Sequence, residues 1–351
     1  MEFGANRQEC VRNILILPRI FYYDMTNKEI LEAFGNMRVC VIGDVMIDEY
    51  IFGRVERMSP EAPVPVVDVD SSEKRLGGAA NVALNCRSLG AAVTLASVIG
   101  DDNNGVVLKS LLEDQGIGTE LLQASPYRRT TCKQRIISKE RQMMRIDYET
   151  RQELVKEEEH PFIDQVMRFL QVEKPDIVII EDYNKGVLKA NVLDKILGHC
   201  KVLGLPVAVD PKKDNFFAYK GVTIFKPNLK EIRDAFGQDI SPDLDSLNTI
   251  HEKLLGQLGH RVSFITLSEK GVYVNDGTSA AIYPTFRRTI ADVSGAGDTV
   301  IAVAALVYAA TGDMHRAARW SNLAGGIVCE VSGVVPVSAA ELLAETLRHE
   351  V

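Results

Sequence analysis

Cysteine is sparse and scattered. Six residues at positions 10, 40, 86, 132, 200 and 329 form no C-x-x-C pair, which excludes a disulfide framework and a zinc ribbon and leaves buried, reduced thiols as the expectation. Long apolar runs are also missing: no window approaches ~18 uninterrupted apolar residues, so no spanning helix is expected and the chain is placed in the cytoplasm, away from the membrane. Positive charge is in deficit, with 40 Lys and Arg against 48 Asp and Glu, a net charge of -8 and a pI near 5.4. Such a chain offers no broad basic field for nucleic acid, so its ligand is expected to be small. There is no G-x-x-x-x-G-K-[ST], so any nucleotide is held without a P-loop. Near the start, VRNILILPRIFYYD has a short apolar run broken by Pro18 and Arg19 and no A-x-A-like cleavage site; residues 1–36 are read as an N-terminal extension, not a signal peptide.

What is present is a rhythm. With 46% hydrophobic and 25% charged residues over 351 positions, the chain can bury a sizeable core. Apolar runs that end polar or acidic recur at 37–44 (MRVCVIGD), 91–102, 175–183, 205–212, 222–228 and 261–268, and helix-length segments at 81–89, 106–115, 152–171, 191–203 and 244–258 separate most of them. That alternation predicts an α/β domain over 37–351, a mostly parallel sheet with helices on both faces. Two segments break it. Residues 49–70 and 128–149 are β-rich without intervening helices and predict a small antiparallel sheet projecting from the domain, whose apolar face must cover a ligand site, a partner subunit, or both. The charge run RQELVKEEEH at 151–160 reads as a solvated helix start.

The stretch DVSGAGDT, 292–299, opens an apolar run of helix length. Glycines let the backbone turn sharply and approach a ligand, and the free N–H groups of a first helical turn attract anions. An aspartate at the mouth of such a cradle would repel phosphate unless it had a task of its own, such as accepting a proton from an attacking hydroxyl. A capped helix start explains the same residues. G-A-G-D-T-V lacks the third glycine of a dinucleotide fingerprint.

Together with RLGGAANVALNCRSLGA at 75–91, DVSGAGDT resembles the two signatures of the ribokinase-like (PfkB) family of sugar kinases, over nearly everything from Met37 onward. The stretches GDVMIDEYIFGRVERMSPEAPVPVV, DYNKGVL, DPKKDNFFAYKGVTIFKPNLKEI and TLSEKGV are similar to the branch of that family that phosphorylates heptose 7-phosphate at O1. The resemblance implies a three-layer αβα fold with a β-sheet lid, ATP and Mg²⁺ as cofactors with K⁺ as a further candidate, and a dimer formed through the lid. Because the kinase pattern runs close to the end of the sequence, no fused second activity is expected in this chain.

It also implies roles. Asp298 matches the catalytic base, with Gly295, Ala296 and Gly297 as the anion hole. Asp48 and, less directly, Asp44 match the sugar-binding position, where a carboxylate can accept from two hydroxyls; strand-end capping is the alternative. Gly77, Gly78 and Asn81 start a helix and suit a polyol, though a turn before a helix suits them equally. A phosphorylated sugar needs a cation, for which Lys185, Arg141 and Lys133 are candidates, each also explicable as solvated surface charge. Asn228 and Glu231 match an N-x-x-E motif near Mg²⁺ and the phosphates, acting mostly through water, and a capping box explains the pair almost as well. Asn228, Ser268, Gly271 and Asn322 match nucleotide-lining positions. Asp292 and Gly333 match a region that holds a monovalent cation in many relatives, but SGVVPVS at 332–338 is more apolar than the usual tail. The expected activity is transfer of phosphate from ATP to a sugar; a kinase of an unphosphorylated sugar or nucleoside, or a non-catalytic sensor on the same fold, are the rivals.

Overall fold

A computed structural model describes residues 25–139 and 141–351. The N-terminal extension therefore falls mostly outside the described residues, as does Cys10. Helix α1 (Asn27–Phe34) leads into β1 (Arg38–Gly43), after which β2 (Val45–Met58) and β3 (Pro65–Gly78) run out and back before α2 (Ala79–Ser88). Next come β4 (Ala92–Gly100), α3 (Asn103–Asp114), β5 (Gly118–Ser125), β6 (Thr131–Ser138), β7 (Arg141–Tyr148) and α4 (Lys156–Glu173). Then follow β8 (Ile177–Glu181), α5 (Ala190–Leu203), β9 (Val207–Asp210), β10 (Ile224–Phe225), α6 (Leu229–Phe236), α7 (Leu244–Leu258) and β11 (Val262–Thr266). Last are β12 (Val272–Asn275), β13 (Ala280–Tyr283), α8 (Ala296–Thr311), α9 (Met314–Val328) and α10 (Ala339–Arg348).

The main sheet has nine strands in the order β13-β12-β11-β10-β9-β8-β1-β4-β5. It is parallel from β11 to β5, with β12 and β13 antiparallel at one edge. The inner strands are continuous apolar runs because helices cover both faces. Alternation sorts their side chains: Val39 and Val41 join the core that holds Phe34, Leu112, Trp320 and Leu342, whereas Cys40 and Ile42 join the one that holds Phe162, Ile196, Ile232 and Leu254. The result is three layers, with α1, α2, α3, α8, α9 and α10 on one side and α4 to α7 on the other. Helix α8 is apolar all round and buried along nearly its whole length, as a helix packed on every side must be.

The extension read for residues 1–36 includes α1, whose Ile30 and Phe34 are fully buried, the latter edge-on to Trp320 at 6.3 Å between ring centres. The globular body thus includes α1. The five described cysteines are buried and unpaired, and no helix among the described residues is long and apolar enough to cross a membrane.

The second sheet, β3-β2-β6-β7, is the projecting lid, wider than the two segments that announced it and with one parallel pair, β2 with β6. Only one residue, Asp44, separates body strand β1 from lid strand β2. Register places Asp48, Tyr50, Lys133, Arg135, Arg145 and Asp147 on one lid face, and Ile51, Ile136, Met144, Ile146 and Tyr148 on the other. The first face docks on the body: Tyr50 Oη accepts from Val334 N (3.1 Å), and Arg75 Nη1 donates to the carbonyls of Ser332 (3.1 Å) and Val334 (3.2 Å). On the second face Met144, Ile146 and Tyr148 are exposed. The charge run at 151–160 is less solvated than its composition suggests: Glu158 and Glu159 are buried, Glu159 paired with Lys189.

A buried polar cluster gives the core a pH dependence. Ser263 Oγ lies 2.9 Å from His251 Nδ1 and 2.6 Å from His260 Nε2. Burial, and then the neighbouring His251, lowers His260 to about 4 from 6.5. A histidine held neutral in the native state gives stability that is complete above its unfolded pKa and lost as the pH falls from 6.5 toward 4. Denaturant unfolding at pH 7.5 and pH 4.5 should therefore differ by up to roughly 3 kcal/mol from this source, and His260→Asn should narrow that difference. A variant with the wild-type pH response would show that His260 carries none of it.

Candidate active site

At the C-terminal end of the parallel strands, where open α/β sheets bind ligands, α8 begins. Gly295 caps it at φ 78°, a left-handed conformation that glycine adopts without strain. Of the first-turn amides, Ala296 N donates to Val293 O (3.3 Å) and Thr299 N to Gly295 O (3.0 Å). That leaves the N–H groups of Gly297 and Asp298 without a carbonyl acceptor among the described residues. Of the residues expected to form an anion hole, Gly295 sets the bend and the Ala296 amide is taken, so the amides left available are those of Gly297 and Asp298.

Asp298 is 3% exposed. Its Oδ2 accepts from Asn81 Nδ2 and its Oδ1 from Tyr183 Oη, both at 2.8 Å. Burial pushes its pKa up to about 6, while the hydrogen bonds from Asn81 and Tyr183 hold it down. Beside it, Lys226 Nζ lies 2.7 Å from Asp210 Oδ2, and Lys212 Nζ lies 2.9 Å from Glu231 Oε1 and 3.5 Å from Asp210 Oδ1. A Cβ on Gly297 would stand 3.8 Å from Asp210 Oδ2 and 4.0 Å from Lys226 Nζ, so the amide cradle opens onto these charges. Glu181, fully buried at the end of β8, has neither carboxylate oxygen bonded among the described residues. Burial and then Asp210 and Asp298 raise its pKa well above the usual carboxylate range. Four acidic groups (Asp298, Asp210, Glu231, Glu181) here face two ammonium groups (Lys212, Lys226), a buried surplus of acid over base.

Asn228 and Glu231 form a complete capping box at the start of α6, with Asn228 N donating to Glu231 Oε2 (2.9 Å) and Glu231 N to Asn228 Oδ1 (2.8 Å). The capping reading holds, and it leaves the other Glu231 oxygen facing Lys212. Among the described residues no three His, Cys, Asp or Glu side chains could hold a metal directly. The hard oxygen donors of Asp210, Glu231 and the unbonded Glu181 fit a hydrated Mg²⁺ approached through water.

The sugar-side candidates separate. Asp48 lies on the lid face toward the body, ion-paired with Arg135, and a Cβ on Gly77 would stand 2.2 Å from its Oδ2; the glycine makes room for the carboxylate. Gly77 and Gly78 end β3, and Asn81 in the first turn of α2 holds Asp298. Asp44 departs from the sugar-binding expectation: it is 1% exposed, and its carboxylate accepts from the backbone N–H groups of Tyr183 (2.9 Å), Lys185 (3.0 Å) and Val187 (3.2 Å). It pins the loop after β8. Lys185 Nζ is neutralised by Glu149 at 2.5 Å, and Arg141 is exposed at the lid's edge strand. Neither Arg141 nor Lys133 has an ion-pair partner among the described residues, but Lys133 is half-buried on the lid face toward the body, where burial, then the Lys185 ammonium, lowers its pKa.

Ser268 and Gly271 lie in the bend between β11 and β12. Asn322 Nδ2 donates to the carbonyls of Pro284 (2.8 Å) and Tyr283 (3.4 Å), bracing the chain beyond β13. Asp292 accepts from Ser294 N and Gly333 N, each at 3.0 Å, and the carbonyls flanking Gly333 accept from Arg75. The positive charge at that bend is the Arg75 guanidinium. Sequence reasoning missed Tyr183, Glu181, Asp210, Lys212 and Arg135. Four of these, Glu181, Tyr183, Asp210 and Lys212, lie at or just after strand ends, the one signal that could have singled them out.

Residues 36–340 match the model of the pfkB family carbohydrate kinases. The bifunctional protein HldE of Citrifermentans bemidjiense is 41% identical over 317 residues, covering 90% of this chain, and that of Pelobacter propionicus is 39% identical over 330 residues, covering 93%. The chain spans 64% and 67% of their lengths. Among solved structures, phosphofructokinase-2 from Escherichia coli in complex with potassium superposes with a TM-score of 0.75 at 16% identity, covering 89% of this chain and 99% of that one. Arabidopsis thaliana ribokinase complexed with ribose and ATP gives 0.67 at 17% identity, covering 88% and 98%. These two likenesses establish the fold.

Asp44→Asn should destabilise the protein by about 3 kcal/mol or more, since an amide cannot accept three N–H bonds as the buried carboxylate does. Chemical unfolding checks this; unchanged stability with a raised sugar KM would return Asp44 to a substrate role.

Proposed function

The chain belongs to the pfkB carbohydrate kinase family, a family of phosphotransferases with an alcohol acceptor, and on that premise we propose that it transfers the γ-phosphate of ATP to O1 of heptose 7-phosphate, giving heptose 1,7-bisphosphate for ADP-heptose and lipopolysaccharide core synthesis in the cytoplasm. The observation that carries the reading is Asp298, a buried carboxylate beside unbonded amides at a helix start and open to Lys226. The sugar lies under the lid with Asp48 toward its hydroxyls and O1 at Asp298. The proton of the attacking hydroxyl passes to Asp298, the bond from O1 to the γ-phosphorus forms, and the bond from that phosphorus to the β,γ-bridging oxygen breaks to release ADP.

The N–H groups of Gly297 and Asp298 and the ammonium groups of Lys226 and Lys212 face the charge that develops on the phosphoryl oxygens. Mg²⁺ would be held through water by Asp210, Glu231 and Glu181, offsetting the triphosphate's charge. ATP extends from there toward Ser268 and Gly271. Lys133, half-buried on the lid face toward the body and in no ion pair among the described residues, suits the phosphate that the sugar already carries. Met144, Ile146 and Tyr148, exposed on the lid's far face, support a homodimer formed lid to lid.

Incubation with ATP, Mg²⁺ and heptose 7-phosphate should release ADP, and phosphorus NMR should show a new anomeric phosphate. Unphosphorylated sugars should turn over far more slowly. Asp298→Asn should lower kcat by about 10²- to 10⁴-fold, and wild-type kcat/KM should fall as the pH drops below about 6, where Asp298 takes up a proton. Absence of sugar-dependent ADP release would reject the assignment.

A further inference from the structure

We propose that Tyr183 is a positioning residue for Asp298: its hydroxyl donates to one carboxylate oxygen while Asn81 donates to the other, fixing the carboxylate plane so that its remaining lone pairs meet the substrate hydroxyl. The proposal rests on the reading of Asp298 as the base. An aspartate's terminal torsion is broad and roughly two-fold, so one hydrogen bond would leave the carboxylate free to rock. Two donors from separate elements, both at 2.8 Å, remove that freedom.

Each donor is itself held. The Asn81 Oδ1 accepts from Asn85 Nδ2 at 3.2 Å within α2. Tyr183 is fixed at two points: its backbone N–H donates to Asp44 at 2.9 Å, and the Lys212 ammonium stands 5.1 Å from its ring centre. Burial, then the charges of Asp298 and Glu181, keep the phenol protonated, so it acts as a donor and not as a second base. Because a hydrogen bond to an ionised carboxylate favours that form, the same contact holds Asp298 ready to accept a proton. The other charged groups facing this pair are Glu181, Asp210 and Lys212, with Lys226 behind Asp210; none is altered by loss of the hydroxyl.

Tyr183→Phe keeps the ring and removes the donor. It should lower kcat about tenfold with little change in KM for ATP, and move the acidic limb of kcat/KM upward by about one pH unit, the sign expected when a carboxylate loses a donor. Incorporating a fluorinated, more acidic tyrosine at position 183 should move the limb the other way, and decides the matter if the phenylalanine variant folds poorly. A wild-type limb and kcat in the substituted proteins, with Asp298→Asn inactive, overturn the positioning role alone. Turnover of Asp298→Asn at the wild-type rate overturns the base and the positioning role together.

Discussion

A surplus of buried carboxylate over ammonium is the condition on which the rest of this molecule turns. Asp298, Asp210, Glu231 and Glu181 gather where the parallel strands end, and Lys212 and Lys226 answer only part of their charge. Burying uncompensated charge is costly, and the fold meets the cost by raising proton affinity at Asp298, Glu181 and Glu231 and by aiming hydrogen-bond donors at Asp298. A site in that state is matched to a ligand that brings its own countercharge. A hydrated divalent cation would do so, leaving Lys212 and Lys226 to face the phosphates that come with it.

Much of this was legible in the sequence, for identifiable reasons. The alternation of apolar runs and helix-length segments fixes the layered body, because burial on both faces demands continuous apolar strands. Gly295 and Asp298 are legible because a left-handed cap and a first-turn acid are local events. The lid strands showed as β-rich text without helices, although their true ends, at Val45 and Gly78, lie deeper in the body than the pattern suggested.

What could not be read depends on contacts distant in the chain. Asp44 looks like a sugar ligand beside Asp48, yet its acceptor capacity is taken by amides about 140 residues later. Lys185 looks like a free cation until β7 and the residues after it bring Glu149 to it. Asn228 and Glu231 fit a capping box and a metal-facing motif equally, and the structure shows that one carboxylate can serve both ends, an oxygen on the backbone and an oxygen on Lys212.

The junction between body and lid has a mechanical consequence. Strand β1 ends at Gly43 and strand β2 starts at Val45, so the joint is one residue long, and its side chain is bolted to the loop bearing Tyr183, Lys185 and Val187. Asp44 thus sits as the fulcrum between body and lid, so that any swing of the outer strands would transmit torque to that loop and, through the phenol, to the plane of the Asp298 carboxylate.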